Sequence, residues 1–76
     1  MTRPWALLAV DGGNSKTDVV VLGTDGEVLA ARRAGPFHPH LVGATEAVRS
    51  LAPIVDSALL DADRPRVLEV SAYMAN

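Results

Sequence analysis

The segment Ala9-Val10-Asp11-Gly12-Gly13-Asn14-Ser15-Lys16-Thr17-Asp18 joins two apolar runs, Trp5 to Val10 and Val19 to Leu22. The pattern predicts a strand, a tight polar loop and a second strand. Two glycines in the loop allow positive φ and remove the Cβ atoms that would hold a ligand off the backbone, so several amide N–H groups can converge on one anion. Asp11 closes the first run with a carboxylate suited to a hard cation such as Mg²⁺, and Lys16 adds a mobile positive charge for phosphate oxygens. Together these residue types point to a Mg-nucleotide site.

Two commoner phosphate loops do not fit. A Walker A loop needs G-x-x-x-x-G-K-[ST] entering a helix, but Lys16 follows Ser15, and Thr17 begins a β-branched run that reads as strand. The dinucleotide fingerprint G-x-G-x-x-G lacks its third glycine and its helix. What remains is a phosphate hairpin. Glycines and small polar residues also make ordinary turns, so the acid at the strand end and Lys16 carry the ligand-binding reading. In that form, Asp11-Gly12-Gly13-Asn14-Ser15-Lys16-Thr17 resembles the first phosphate motif of the actin-like ATPase superfamily. Within it, the chain from about Leu7 onward, with its Gly35-Pro36 loop and its Val42-Gly43 pair ahead of a helix, resembles the N-terminus of the BadF/BadG/BcrA/BcrD ATPase family, whose best-known members are N-acetylglucosamine kinases.

Composition sets outer limits. At 76 residues the chain makes at most one small domain and buries a smaller fraction of its surface than a larger one. It is 49% hydrophobic and 21% charged, with a formal net charge of −2, so no basic excess argues for nucleic acid. It has no cysteine, which rules out disulfides, Cys-ligated zinc and Fe–S clusters within this stretch. The apolar run after Arg3 is too short for a signal peptide and ends in Asp11 without a small-residue cleavage site. Nothing approaches the ~18 apolar residues of a membrane span. A cytoplasmic protein is expected.

Along the chain, strand one is predicted over Trp5 to Val10 and strand two over Thr17 to Leu22, both apolar enough for burial on two faces. Gly23-Thr24-Asp25-Gly26 reads as a hairpin turn, followed by a third strand over Glu27 to Arg32. Gly35 to His40 is a loop with two prolines. A helix is predicted from Ala44 to Leu60, capped by Thr45, with Glu46 in its first turn and an apolar stripe of Val48, Leu51, Val55 and Leu59. Pro53 should kink or break it on the wet face. Asp61 to Pro65 is a turn and Arg66 to Ala72 a fourth strand. Three strands joined by tight turns form an antiparallel meander, and the helix returns the chain to a strand parallel to the first. The expected architecture is therefore α/β, β-β-β-α-β, with a mixed sheet in the order 3-2-1-4, the ribonuclease H-like N-terminal subdomain that the resemblance also implies. Residues Tyr73 to Asn76 bring neither a closing helix nor a polar tail, so the chain reads as residues 1–76 of an incomplete domain. In the resembled family, full chains run to about three hundred residues in two lobes with the nucleotide between them.

The resemblance implies residue roles. Asp11 would hold Mg²⁺, often through water; Gly12, Gly13, Asn14 and Ser15 would present donors to the β- and γ-phosphates of ATP; Lys16 would neutralise charge as the γ-phosphoryl leaves, with the Thr17 hydroxyl nearby. Asp18 reads as a strand residue facing solvent or capping the loop. His38 stands about where related sugar kinases carry a sugar-binding Asn, so His38 and His40 are candidate substrate contacts, although a plain surface loop is the simpler account and two histidines alone make a weak metal site. Arg32 and Arg33 read as a charged, solvated edge, and Trp5 and Tyr73 as packing residues.

The function so implied for the parent protein is an ATP-dependent sugar kinase acting on N-acetylglucosamine or a similar amino sugar, with ATP and Mg²⁺ as cofactors. The catalytic base is expected downstream, so the chain alone would be inactive. The alternatives are an ATPase activator of a radical 2-hydroxyacyl-CoA dehydratase or benzoyl-CoA reductase system, and a non-catalytic sugar-binding regulator. Expected partners are the sugar and the remainder of the parent chain, with a homodimer left open and no nucleic acid or membrane.

Overall fold

The computed structural model of the chain describes residues 5–13, 15–36 and 43–74. Its elements are β1 (Trp5–Gly12), β2 (Thr17–Gly23), β3 (Val28–Ala34), α1 (Ala44–Arg49), α2 (Ala52–Asp61) and β4 (Arg66–Met74). They form one four-stranded sheet in the order β3-β2-β1-β4. β1 pairs antiparallel with β2 and parallel with β4, and β2 pairs antiparallel with β3. This is the mixed 3-2-1-4 sheet that the spacing of strands and helix predicts.

Burial follows the two-residue period of a strand. Ala6, Leu8 and Val10 of β1, Val19 and Val21 of β2 and Ala30 of β3 are buried on one face, where Leu51 and Ala58 meet them from the helical side. Ile54, Val55 and Leu59 complete that layer. The alternate residues Leu7, Ala9, Val20 and Leu22 are only half-buried. The expectation of burial on both faces of β1 and β2 is thus corrected. One helical layer covers one side of the sheet, and the other side stays partly open. β4 is more open still, with Leu68, Val70 and Tyr73 each more than half exposed.

Asp25-Gly26 makes the predicted turn. Gly26 N donates to Gly23 O at 2.9 Å, the Asp25 side chain accepts the Glu27 amide at 3.0 Å, and Gly26 takes φ +88°, a value that favours glycine.

The single predicted helix is two. The Ser50 amide still reaches Glu46 O at 3.0 Å, the Leu51 amide tightens onto Val48 O, and α2 restarts with Val55 N on Leu51 O. Pro53 lies in the first turn of α2, where a backbone N–H has no partner within the helix in any case. The break resets the helical phase. Leu51, Val55 and Leu59 still face the core, but Val48 is left 58% exposed, contrary to the predicted stripe. Thr45 does not cap α1: Gly43 holds the N-cap position at φ +89° and no side chain caps it. Glu46 sits in the first turn as expected, paired with Arg49 at 2.8 Å.

Trp5 and Tyr73 are not interior packing residues either. Trp5 is 47% exposed with the Arg66 guanidinium 5.6 Å from its ring centre, and Tyr73 is 69% exposed. No helix among the described residues is long and apolar enough to cross a membrane.

Candidate functional site

β1 and β2 end together at the hairpin, where Gly12 and Thr17 form the last cross-strand pair. The Gly13 amide donates to Lys16 O at 2.9 Å and closes the loop. Glycine keeps this approach free of a tight contact. A Cβ there would stand 3.2 Å from the Lys16 carbonyl oxygen, closer than side chains ordinarily come. Among the described glycines only Gly26 and Gly43 take positive φ, so Gly12 and Gly13 do not use the left-handed freedom that glycine allows. The Gly13 N–H is also engaged within the loop. The donors that remain open on the described residues of the loop are those of Ser15 and Lys16, both exposed; of these two residues only the Lys16 carbonyl is engaged, by Gly13.

Strand alternation decides where the acid points. Val10 and Gly12 face the core, so Asp11 between them faces the open side of the sheet, and it is exposed there. Asp18 stands opposite Asp11 on β2, and Arg33 opposite Asp18 on β3. Arg33 Nε donates to Asp18 Oδ1 at 2.7 Å and Nη2 to Oδ2 at 3.3 Å. That hydrogen bond holds the Asp18 carboxyl below the usual carboxylate range, with the charges of Arg33 and Lys16 adding to it, and it raises the Arg33 guanidinium in turn. Ala9, Asp11, Asp18, Val20, Ser71 and Tyr73 line a shallow hollow of about 410 Å³ on this side.

Thr17 lies on the other side. It is 1% exposed, with its side chain on the core face beside Val19, so its hydroxyl is beneath the hairpin and not beside Asp11. Asn14, His38 and His40 lie outside the described residues. Arg32 turns toward the helical layer. Its Nε donates to Ser57 Oγ at 3.2 Å and its Nη1 lies 3.3 Å from Asp61 Oδ2, which ties β3 to α2. β3 is an edge strand as expected, but both of its arginines are paired and neither is simply solvated.

The Asp18–Arg33 pair escaped the reading of the sequence. The turn closes on Gly23 and Glu27, which alone would set Asp18 opposite Arg32; the register shift between Val21 and Leu22 sets it opposite Arg33.

The donor set suits one kind of cation. Among the described residues no three His, Cys, Asp or Glu side chains cluster as a metal cage. A single exposed carboxylate at a strand end fits Mg²⁺, which keeps most of its water and is held by one or two carboxylates together with phosphate oxygens. Lys16 and the free donors of Ser15 lie on the same loop, so an anion and its cation have partners within a few residues of each other.

No family model and no curated protein matches the chain. Among solved structures it is similar to the crystal structure of a putative N-acetylglucosamine kinase from Chromobacterium violaceum, with a TM-score of 0.67 over 96% of this chain at 16% sequence identity. The chain spans 35% of the length of that protein. At that identity the likeness shows the fold: the chain has an α/β, ribonuclease H-like architecture with its mixed sheet in the order 3-2-1-4.

Proposed function

We propose that the chain is the phosphate-binding, N-terminal part of an ATP-dependent kinase of a small sugar, N-acetylglucosamine or a similar amino sugar, working in the cytoplasm. The observation that carries this reading is the placement of Asp11, exposed at the end of a strand flanked on both sides and directly before a loop whose Ser15 and Lys16 donors are open. The likeness of fold supports it, because the matched crystal structure is described as that of a putative N-acetylglucosamine kinase.

Asp11 orients the hydrated cation through its carboxylate. The Ser15 amide and hydroxyl and the Lys16 ammonium meet phosphate oxygens, with Asn14 beside them, and Lys16 offsets the negative charge that gathers as the terminal phosphoryl group moves. Mg²⁺ held through Asp11 would supply charge neutralisation to the phosphate groups. Gly12 and Gly13 shape the hairpin, and Thr17 fills the space beneath it. His38 and His40 are the proposed contacts to the sugar hydroxyls. The proton acceptor for the attacking hydroxyl belongs to the remainder of the parent protein, so the chain alone binds MgATP without phosphorylating sugar.

Titration calorimetry of the chain with ATP, with and without Mg²⁺, tests this. Binding that requires Mg²⁺ is expected, with no sugar phosphate formed when N-acetylglucosamine is added. Absence of any MgATP binding to the folded chain, or sugar phosphate produced by the chain alone, overturns the reading.

A further inference from the structure

We infer that Arg33 withholds Asp18 from the divalent cation, so that the hairpin offers one free carboxylate and holds the cation only weakly until a polyphosphate completes its shell. This inference rests on Asp11 being the cation's carboxylate, as proposed above. Asp11, Asp18 and Arg33 lie opposite one another on three neighbouring strands, in that order, on the side of the sheet away from the core.

Directly opposed carboxylates repel, and their Cβ atoms are only about 5 Å apart. That separation would also let both reach one cation, whose oxygen ligands lie about 2 Å from it. Left to themselves, the two acids would form a doubly negative cation site with no need of nucleotide.

Arg33 changes the outcome. Its planar fork meets both Asp18 oxygens, at 2.7 and 3.3 Å, a geometry a lysine does not reproduce. The pair is neutral, which leaves Asp11 as the free acid and removes a second negative charge from the approach of a triphosphate. One carboxylate holds weakly a cation that sheds water reluctantly, so phosphate oxygens must complete its shell. Arg33 is thus a positioning residue that acts through Asp18.

Two measurements test this. In the chain without nucleotide, Mn²⁺ binding is read from water-proton relaxation, with circular dichroism confirming that each variant folds. Arg33→Met is expected to bind Mn²⁺ about tenfold tighter than the wild type, through two carboxylates in place of one, and adding Asp18→Asn is expected to abolish the gain. Equal affinity of Arg33→Met and wild type, or a gain that survives Asp18→Asn, overturns the inference. The second measurement needs no variant. Carboxyl ¹³C signals are followed as Mg²⁺ and ATP are added to the wild type, and Asp11 is expected to move while Asp18 stays. Movement of both overturns this inference alone. If neither moves, the assignment of Asp11 has failed and this inference falls with it.

Discussion

Replacing Gly13 with alanine separates the shape of the hairpin from its stability. The added Cβ would stand 3.2 Å from the Lys16 carbonyl oxygen, a few tenths of an ångström inside ordinary contact, and the atom it meets is backbone and cannot swing aside. Gly13 is not in the left-handed region, so alanine meets no intrinsic backbone penalty there. Alanine instead restricts the unfolded chain, a gain of about 0.4–1 kcal/mol. Against this stands the Gly13–Lys16 hydrogen bond of 2.9 Å. Stretching it forfeits up to about 0.5–1.5 kcal/mol. The two effects cancel to within about 1 kcal/mol, and for a chain of this size that leaves the melting temperature within about 8 °C of wild type. Affinity for MgATP has no such compensation. The Lys16 carbonyl and the amides beside it must shift, and phosphate contacts depend on their placement. We expect a fall of about tenfold in MgATP affinity, the size of one charge-assisted hydrogen bond. Thermal melting by circular dichroism and titration calorimetry read the two quantities on one sample. Unchanged affinity at unchanged stability would falsify the idea that this loop grips phosphate, and a drop in melting temperature well beyond the cancelled range would refute the close-contact argument.

Three further outcomes follow from the geometry. Asp63 and Arg64 both take positive φ, at 65° and 47°, just after α2. Asp63→Gly relieves about 1–2 kcal/mol of strain and returns about 0.4–1 kcal/mol to the unfolded chain, so it should stabilise the protein by up to about 1 kcal/mol, raising the melting temperature by up to about 8 °C; a lower melting temperature would count against strain at this bend. Leu51 is 8% exposed where the two helices meet, and Leu51→Ala should cost about 2–5 kcal/mol in urea unfolding, a large part of the stability of so small a domain. Asp18 has its folded-state pKa lowered chiefly by the hydrogen bond from Arg33. Its small contribution is therefore present above the unfolded value of about 4 and lost as pH falls through the lower folded value. Unfolding followed from about pH 6 to about pH 2 should show a shallower acid loss in Arg33→Met than in wild type; parallel curves would mean the pair does not couple to folding.

Much of this fold is legible in the residues because strand length, turn chemistry and apolar alternation agree. Asp25-Gly26 sets one hairpin, Gly12 to Lys16 the other, and a helical pattern between the third and fourth strands leaves few topologies. Where the reading departs from the structure, a tertiary cause is visible. Apolar runs such as Trp5 to Val10 look alike whether one face or two is covered, and only the number of helical layers decides. Pro53 marks a defect, but where the helix breaks depends on Leu51 docking into the core ahead of it, which in turn leaves Val48 outside.

The site was legible in its residue types and less so in their orientation. Asp11 and Thr17 are both polar residues flanking one loop, yet alternation about the last strand pair sends the first to the open side and the second beneath the hairpin. The glycines suit the loop either by positive φ or by the missing Cβ, and at Gly13 it is the missing Cβ that matters, because the Lys16 carbonyl approaches closely across the loop. Asp18 and Arg33 pair across a turn, so their relation depends on register, which a bulge between Val21 and Leu22 also adjusts.

The most direct test of the account is the affinity of the chain for ATP in the presence of Mg²⁺, measured by calorimetry for the wild type and for Asp11→Ala. The Asp11 side chain is exposed and makes no hydrogen bond with another described residue, so its loss should leave the fold intact by circular dichroism. The account predicts that removing it costs about 1.5–3 kcal/mol of Mg-dependent binding, roughly ten- to hundredfold in affinity, with Mg-free binding little changed. An Asp11→Ala chain that binds MgATP as tightly as the wild type would contradict it.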